Sequence, residues 1–140
     1  RDRMTGGLGD DEFILTDKNF SIVDGGAGTD TVSFEFSLDL QTVANSALRS
    51  VEFFDLRDGV SSELTMALDD VVSMVDGLNS LTGEANTVLV RGDEGDSVNI
   101  VGDNWTVSTV SLDTDDDNIQ EGYTVFQDAD AGVGVYVQDF

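Results

Sequence analysis

Two short segments combine glycine and carboxylate residues in the same order. Residues 6–14 and 25–33 both read G-G-x-G-x-D-x-U-x, where U is a large apolar residue. The glycines allow sharp turns that point backbone carbonyl oxygens inward, and the Asp at the sixth position adds a carboxylate. Calcium takes about six to eight oxygen ligands in flexible geometry, whereas magnesium demands a tighter octahedron. These residue types therefore predict calcium binding.

The spacing of the two segments predicts how they are arranged. Nonapeptides of this pattern are typical of calcium-binding parallel β-rolls, in which two units make one coil. Asp11 and Asp30 lie 19 positions apart, close to the length of two perfect nine-residue units. We expect them on the same edge, one rung apart at about 4.8 Å, with a cation between them that receives oxygens from both loops.

The sequence around the two segments partly keeps the repeat. Residues 2–5 fit the tail of a preceding unit, which predicts that the array continues upstream of Arg1. The ten residues from 15 to 24 have lost their glycines but keep Ile22 at the apolar position. No cation site is therefore predicted on the opposite edge.

The chain is strongly acidic and lacks several reactive residue types. Its 140 residues include 29 acidic and 6 basic ones, which gives a net charge of −23, and 22 of the acids are Asp. This charge repels phosphate backbones and anionic membranes, so we expect neither nucleic-acid binding nor membrane insertion. Because Cys and His are absent, disulfides, thiolate or imidazole metal sites and histidine catalysis are excluded. No catalytic motif is present, and we expect no enzyme activity.

The remaining residues predict an all-β fold with one short helix. Apolar residues alternate over residues 32–40, which predicts a half-buried strand with its Phe and Leu face inward. Further strands are predicted at 51–56, 64–68, 87–91, 97–101, 105–112, 123–126 and 133–137. A helix with Asp in its first turn and Gly77 after its end is predicted from helical spacing of Leu68, Val71, Val72 and Val75.

Two other acidic segments are weaker candidates for cation binding. Residues 92–98 are similar to a shortened repeat loop, so Asp93 and Asp96 are candidate ligands, although a plain turn explains them equally well. Residues 113–118 open like an EF-hand loop, but Asn118 stands where that loop needs glycine. We reject an EF-hand and interpret this segment as an acidic loop with weak cation affinity.

Three aromatic residues could contact a ligand. Trp105, Tyr123 and Tyr136 have rings that stack on sugars or peptides in other proteins. The alternative is that they pack in the core or cap it.

The glycine-rich repeats resemble those of the RTX family, the hemolysin-type calcium-binding proteins that Gram-negative bacteria export by type I secretion. This resemblance covers residues 2–33, and residues 49–56, 63–71, 86–98 and 123–126 are similar to the region that follows such repeats in very large surface adhesins. By motif position, the resemblance implies that Asp11 and Asp30 are carboxylate ligands. It also implies that backbone carbonyls lie nearby on Gly7, Gly9, Gly26 and Gly28.

Together these features predict an extracellular or cell-surface module. We expect terminal β-roll repeats in residues 1–33 and, in residues 34–140, a β-solenoid-like capping domain continuous with the roll. The expected function is a calcium-dependent structural or adhesion module of an RTX adhesin that folds on binding calcium after export. The alternatives are a domain that binds a cell-surface glycan or peptide, and the C-terminal tail of an RTX hydrolase or toxin.

Overall fold

The computed structural model describes residues 2–57, 59–75 and 77–139. Strands make up 51% of the protein, and within the described residues one short α-helix and one 3-10 turn are the only helical segments. The fold is therefore all-β with one short helix, which confirms the predicted class.

The elements follow one another closely along the chain. The first eight strands are β1 (Asp2–Leu8), β2 (Glu12–Leu15), β3 (Phe20–Ala27), β4 (Thr31–Phe34), β5 (Leu38–Asp39), β6 (Leu48–Arg49), β7 (Phe53–Asp55) and β8 (Glu63–Ala67). The helix α1 (Leu68–Met74) comes next. It is followed by β9 (Leu78–Asn79), β10 (Glu84–Ala85), β11 (Thr87–Arg91), β12 (Ser97–Val101), β13 (Thr106–Leu112), β14 (Glu121–Asp128) and β15 (Val133–Gln138).

Most of the sheet pairing is parallel. One sheet has the order β1-β3-β6 and another has the order β12-β8-β5, and both are parallel throughout. The largest sheet has the order β13-β14-β15-β11-β7-β4-β2. It is parallel from β2 to β15, and β14 and β13 then add to it as antiparallel strands. Strands β9 and β10 form a separate antiparallel pair.

The main hydrophobic core is shared by the three larger sheets and the helix. Its fully buried side chains include Val23 of β3, Phe54 of β7, Leu64 of β8 and Val71 of α1. A smaller cluster is formed by Leu89, Tyr123, Val125 and Tyr136. The main core draws on residues from both sides of position 33, and the predicted division into 1–33 and 34–140 stays a prediction.

A β-bulge explains why the two repeats are spaced by one residue more than two perfect units. In the β1–β3 pair, Phe20 lies opposite Asp2, but Ile22 lies opposite Arg3, so Ser21 is the extra residue. From there the partners stay 19 positions apart, as in the β2–β4 pair. The bulge absorbs the tenth residue of segment 15–24 and restores the register before the second glycine-rich turn. After the bulge, Val23 is fully buried, whereas Ile22, the residue at the predicted apolar position, is only partly buried.

The strand predicted over residues 32–40 is broken in the structure. Val32 and Phe34 lie in β4 of the largest sheet, Leu38 lies in β5 of another sheet, and Leu40 begins a 3-10 turn. All four side chains are buried. The alternation correctly predicted which residues face the core, but it could not show that the chain passes from one sheet to another between Phe34 and Leu38.

The helix is present but shorter than predicted. It ends at Met74, and Val75 has an extended backbone, so Gly77 lies beyond the end rather than capping it. Val71 and Met74 are buried, whereas Val72 is 47% exposed. The buried face of the helix is therefore narrower than the predicted apolar face. Among the described residues, no helix has the length and apolar character needed to cross a membrane.

Agreement with the predicted strand boundaries does not follow burial, because β11 is buried throughout and β12 is only partly buried. Strands β11 and β12 match the predicted ranges 87–91 and 97–101, while the predicted strand 51–56 shrinks to β7. Within each nonapeptide, the first three residues were expected in a turn, but they form the ends of β1 and β3. The turns are therefore shorter than the motif suggested.

Candidate metal sites

Three turns stack along one edge of the molecule, each just before a strand of the largest sheet. Asp11 precedes β2, Asp30 precedes β4 and Glu52 precedes β7. Because these strands pair in parallel and in register, the residues before them are also neighbours. The fold therefore places Asp11 and Asp30 on adjacent rungs and adds Glu52 as a third carboxylate on the next rung.

Hydrogen bonds tie these turns to one another. Asp30 Oδ1 accepts the backbone N–H of Asp11 at 2.8 Å, and Glu52 Oε2 accepts the backbone N–H of Asp30 at 2.8 Å. In the other direction, Asp10 Oδ1 accepts the backbone N–H of Thr29 at 2.8 Å. These bonds fix the spacing of the stacked turns.

One carboxylate oxygen of each repeat Asp is buried and has no hydrogen-bond partner. These atoms are Oδ2 of Asp11 and Oδ2 of Asp30, and Asp30 is 0% exposed. A buried carboxylate oxygen without a donor is costly unless a cation or a proton satisfies it. Both atoms therefore fit the role of cation ligands.

Each of these oxygens lies beside a glycine and a backbone carbonyl. A Cβ added at Gly6 would come within 3.0 Å of both Asp11 Oδ2 and the carbonyl oxygen of Gly25. A Cβ added at Gly25 would come within 3.0 Å of both Asp30 Oδ2 and the carbonyl oxygen of Ser50. The arrangement thus repeats itself from one rung to the next, with a carboxylate oxygen next to a carbonyl oxygen of the following turn.

The environment of Asp30 disfavours its charged form when no cation is present. Burial raises the pKa of Asp30 above its ordinary value, the N–H of Asp11 opposes this shift, and the nearby charges of Asp11, Asp10 and Asp24 add to it. A cation in the turn would offset both the loss of hydration of this carboxylate and its repulsion by the neighbouring acids.

The repeat glycines permit the close approach of the first two turns. Gly7, Gly9, Gly26 and Gly28 all have positive φ, which disfavours other residues. A Cβ at Gly26 would collide with the carbonyl oxygen of Gly7, and one at Gly28 would collide with that of Gly9. The carbonyls of Gly7 and Gly9 therefore face the neighbouring turn, and their role as ligands stays a prediction.

Asp93 and Asp96 belong to the turn before β12. Asp96 is buried, and its Oδ1 accepts the N–H of Ser62 at 2.9 Å while its Oδ2 accepts the N–H of Asp93 at 2.7 Å. The side chain of Asp93 is exposed. Both oxygens of Asp96 already have donors, which favours the alternative of a plain turn. Metal binding by this pair stays a prediction.

Four acidic residues near the last turns of the chain could hold a metal ion. Within the part of the chain that the structure describes, their carboxylate oxygens lie within 4.8 Å of one another, and they are Asp113, Asp115, Asp117 and Glu121. The carboxylate of Asp113 shapes this acidic loop by accepting the backbone N–H groups of Asp117 at 3.3 Å and Asn118 at 2.9 Å.

A buried arginine lies against this cluster. Arg91 Nη1 is 3.2 Å from Asp115 Oδ2, and its Nη2 is 3.6 Å from Glu121 Oε1. Burial opposes ionisation of Asp115, but the bond from Arg91 lowers the pKa of this carboxyl. Burial and the charges of Asp115 and Asp117 raise the pKa of Glu121, against the effect of Arg91. One guanidinium therefore balances only part of the charge of four carboxylates.

The sequence pointed to part of this chemistry and missed Glu52, Glu121 and Arg91. Glu52 has a usable signal, because residues 52–55 read acid, any residue, apolar, any residue, like residues 30–33 without the glycines. Glu121 follows the recognised acidic loop by only a few residues. Arg91 reaches the cluster from β11, 24 residues from Asp115, so only the pairing of strands reveals it.

The aromatic candidates for ligand stacking lie mostly inside the protein. Tyr123 is 0% exposed and its hydroxyl forms a 2.8 Å hydrogen bond with the Thr114 hydroxyl, while Tyr136 is also buried. Trp105 is partly buried against the main core and donates from Nε1 to the carbonyl of Val101 at 3.1 Å. These contacts are the core and capping roles that the sequence left open as the alternative.

Comparison with known proteins gives no relative on which to base a function. No family model, no curated protein and no solved structure matches this chain.

Proposed function

We propose that this chain is an extracellular, non-enzymatic structural or adhesion module that folds around calcium. The observation that carries the proposal is the Asp11 carboxylate, whose buried Oδ2 has no partner in a turn stacked on that of Asp30. The glycine-rich motif that contains both residues supplies the chemical context for this oxygen.

The ligand atoms on this edge suit a hard cation. They are carboxylate and carbonyl oxygens, among them Asp11 Oδ2 beside the carbonyl of Gly25. Oxygen ligands from flexible turns favour calcium over transition metals and over magnesium. The acidic loop around Asp113 offers a second set of oxygen atoms, and we propose calcium there as well.

We further propose that residues 1–33 are the last coils of a parallel β-roll and that residues 34–140 continue the stack and close it. The parallel pairs β1–β3 and β2–β4, with partners 19 positions apart after the bulge, support this reading. Strand β14 adds antiparallel to β15 and β13 adds antiparallel to β14, and both so depart from a pure roll. They extend the parallel part of the sheet, so that β13 rather than β15 is its edge strand.

Binding and folding are coupled in this proposal through the charges of the stacked turns. Without a counter-ion, carboxylates about 5 Å apart repel by roughly 3 kcal/mol at an effective dielectric of 20. A bound calcium ion supplies the positive charge that offsets this repulsion. Binding to the folded state alone adds about 2.7 kcal/mol of stability per independent site at a hundredfold excess over Kd.

The proposed setting is the bacterial cell surface or the medium, as part of a type I-secreted adhesin of the RTX kind. In calcium-poor cytosol the turns that contain Asp11 and Asp30 would repel, so the chain would stay unfolded for export. The net charge of −23 and the absence of disulfides support a dependence on cations rather than on covalent cross-links.

Circular dichroism and thermal unfolding in a chelator and in millimolar calcium test the proposal. We expect the calcium form to contain more β structure and to melt at a higher temperature. Millimolar magnesium at equal ionic strength is the control for general charge screening, and it should have a smaller effect. Identical spectra and melting temperatures in chelator and calcium would refute calcium-coupled folding.

A further inference from the structure

The column of stacked turns extends one rung beyond the glycine-rich motif. In the β3–β6 pair, Asp24 lies opposite Arg49, which makes Ser50 the next-rung equivalent of Gly25. Likewise Glu52 precedes β7 as Asp30 precedes β4. Ser50 and Glu52 of the third turn therefore occupy the positions that Gly25 and Asp30 occupy in the second turn, although only one residue separates them.

The same pair of oxygen atoms recurs between the second and third rungs. Asp30 Oδ2 and the carbonyl oxygen of Ser50 both crowd Gly25, as Asp11 Oδ2 and the carbonyl oxygen of Gly25 both crowd Gly6. Ser50 has φ 51, a left-handed conformation that is unusual for serine. A strained residue at an oxygen-lined turn is consistent with a functional constraint.

We propose that a second divalent cation binds at this edge, between the second and third turns, with Asp30 Oδ2 and the carbonyl oxygen of Ser50 among its ligands. The inference rests on the proposed calcium site between the first two turns and adds one rung to it. Its independent support is that Asp30 is fully buried and that its Oδ2 lacks a partner. Asp11 Oδ2 and the Gly25 carbonyl account for the first cation and leave this oxygen unexplained.

Glu52 is the positioning residue of the second site. It is 3% exposed, and its Oε2 accepts the N–H of Asp30 at 2.8 Å, which holds the Asp30 turn against the third rung. Its negative charge also adds to the attraction for a cation. Groups that orient the ligands of a metal typically change its affinity by about 10- to 100-fold when they are replaced.

Calorimetric titration of the whole chain with calcium tests this assignment. Glu52→Gln keeps the shape and an acceptor for the Asp30 N–H but removes the charge, and we expect it to weaken one site by about 10-fold or more. Asp11→Asn should remove the first site and leave the second. Glu84→Gln removes one charge from an exposed position outside the turns and should bind as the parent does.

The two proposals fail in different ways. If the parent binds calcium and Asp11→Asn loses one site while Glu52→Gln matches the parent, the second site is wrong and the first stands. If the parent binds no calcium at this edge, the proposed function itself is wrong. Crystals of the parent grown with calcium settle the matter even if Glu52→Gln fails to fold. An anomalous-scattering peak between Asp30 Oδ2 and the Ser50 carbonyl is expected, and its absence in a crystal that shows the Asp11 peak would overturn the inference.

Discussion

The backbone N–H of Asp11 donates a 2.8 Å hydrogen bond to Oδ1 of Asp30, which lies 19 residues later in the chain. Glu52 accepts from the N–H of Asp30 in the same way, and Asp96 accepts from the N–H of Ser62 across the β8–β12 pair. In each case a carboxylate just before a strand satisfies a backbone donor on the neighbouring rung. These acids therefore hold the stack together through hydrogen bonds, in addition to any cation they bind.

This bond determines which substitution at Asp30 is informative. Asp30→Ala would leave the partly buried N–H of Asp11 without an acceptor, at a cost of up to about 1–3 kcal/mol whether or not calcium is present. Asp30→Asn keeps an acceptor oxygen and removes only the charge. In a chelator we expect the Asn variant to be at least as stable as the parent, because burial and three neighbouring acids disfavour the charge.

In saturating calcium the order of stability should reverse, because the amide oxygen of the Asn variant is a weaker calcium ligand than a carboxylate oxygen. Thermal unfolding of parent and variant under both conditions measures the reversal. Asp103→Asn, at an exposed position outside the turns, is the matched control and should show no reversal. An Asp30→Asn variant that gains as much melting temperature from calcium as the parent would show that Asp30 is not a ligand.

A pair of glycine substitutions separates backbone strain from the close approach of the turns. Gly7 and Gly26 both have positive φ, so Ala at either position is strained by about 1–2 kcal/mol. An added Cβ at Gly7 meets nothing within 4 Å, whereas one at Gly26 collides with the Gly7 carbonyl. We expect Gly26→Ala to destabilise the protein more than Gly7→Ala in urea unfolding. Equal losses would indicate that the two turns are not in contact.

Much of the repeat region could be predicted from the sequence because its interactions have fixed spacing. The motif and the 19-residue separation correctly gave the stacking of Asp11 on Asp30, although the ten-residue segment 15–24 does not show that its extra residue is the bulge at Ser21. The roles of Glu52 and Arg91 depend on which strands become neighbours across 22 and 24 residues. The acid and apolar positions of residues 52–55 repeat those of residues 30–33 and so mark Glu52, whereas no local pattern marks Arg91.

The helix offers a test of pH dependence that does not involve the repeat turns. Asp70 is buried, and its Oδ2 accepts the N–H of Ala67 at 2.9 Å at the start of α1. Burial raises the pKa of Asp70, the Ala67 N–H opposes the shift, and the charges of Asp69 and Asp39 add to it. The folded state then holds the proton more tightly than the unfolded state does. The stabilisation that comes from this tighter proton binding is present below the ordinary pKa of 3.8 and is lost as the pH rises through the raised pKa of Asp70.

Asp70→Asn should therefore stabilise the protein at about pH 7 and have little effect at about pH 3, where the parent carboxyl is already neutral. Urea unfolding of both proteins in a chelator at the two pH values measures the difference. Asp130→Asn removes a charge from an exposed position in the turn before β15 and is the control. A stabilisation that is the same at both pH values would rule out the protonation of Asp70 as its source.

Arg91 is expected to be the most sensitive residue of the acidic loop. It is buried and contacts Asp115 and Glu121, so Arg91→Met leaves four clustered carboxylates without their guanidinium. Because Arg91 is buried but Asp115 is 35% exposed, the loss should exceed that of a surface pair and fall short of that of a fully buried pair. In a chelator the variant should unfold at clearly lower urea concentration than the parent.

Calcium should restore part of this loss if the cluster holds the ion, because the remaining carboxylates then regain a positive charge. Arg57→Met is the matched control, since Arg57 pairs with Asp55 at the surface, with side chains 35% and 26% exposed. That exposed pair should contribute about 0–1 kcal/mol, and its loss should not depend on calcium. If Arg91→Met is destabilised to the same extent in chelator and in calcium, the acidic loop does not hold calcium, and Arg91 alone neutralises it.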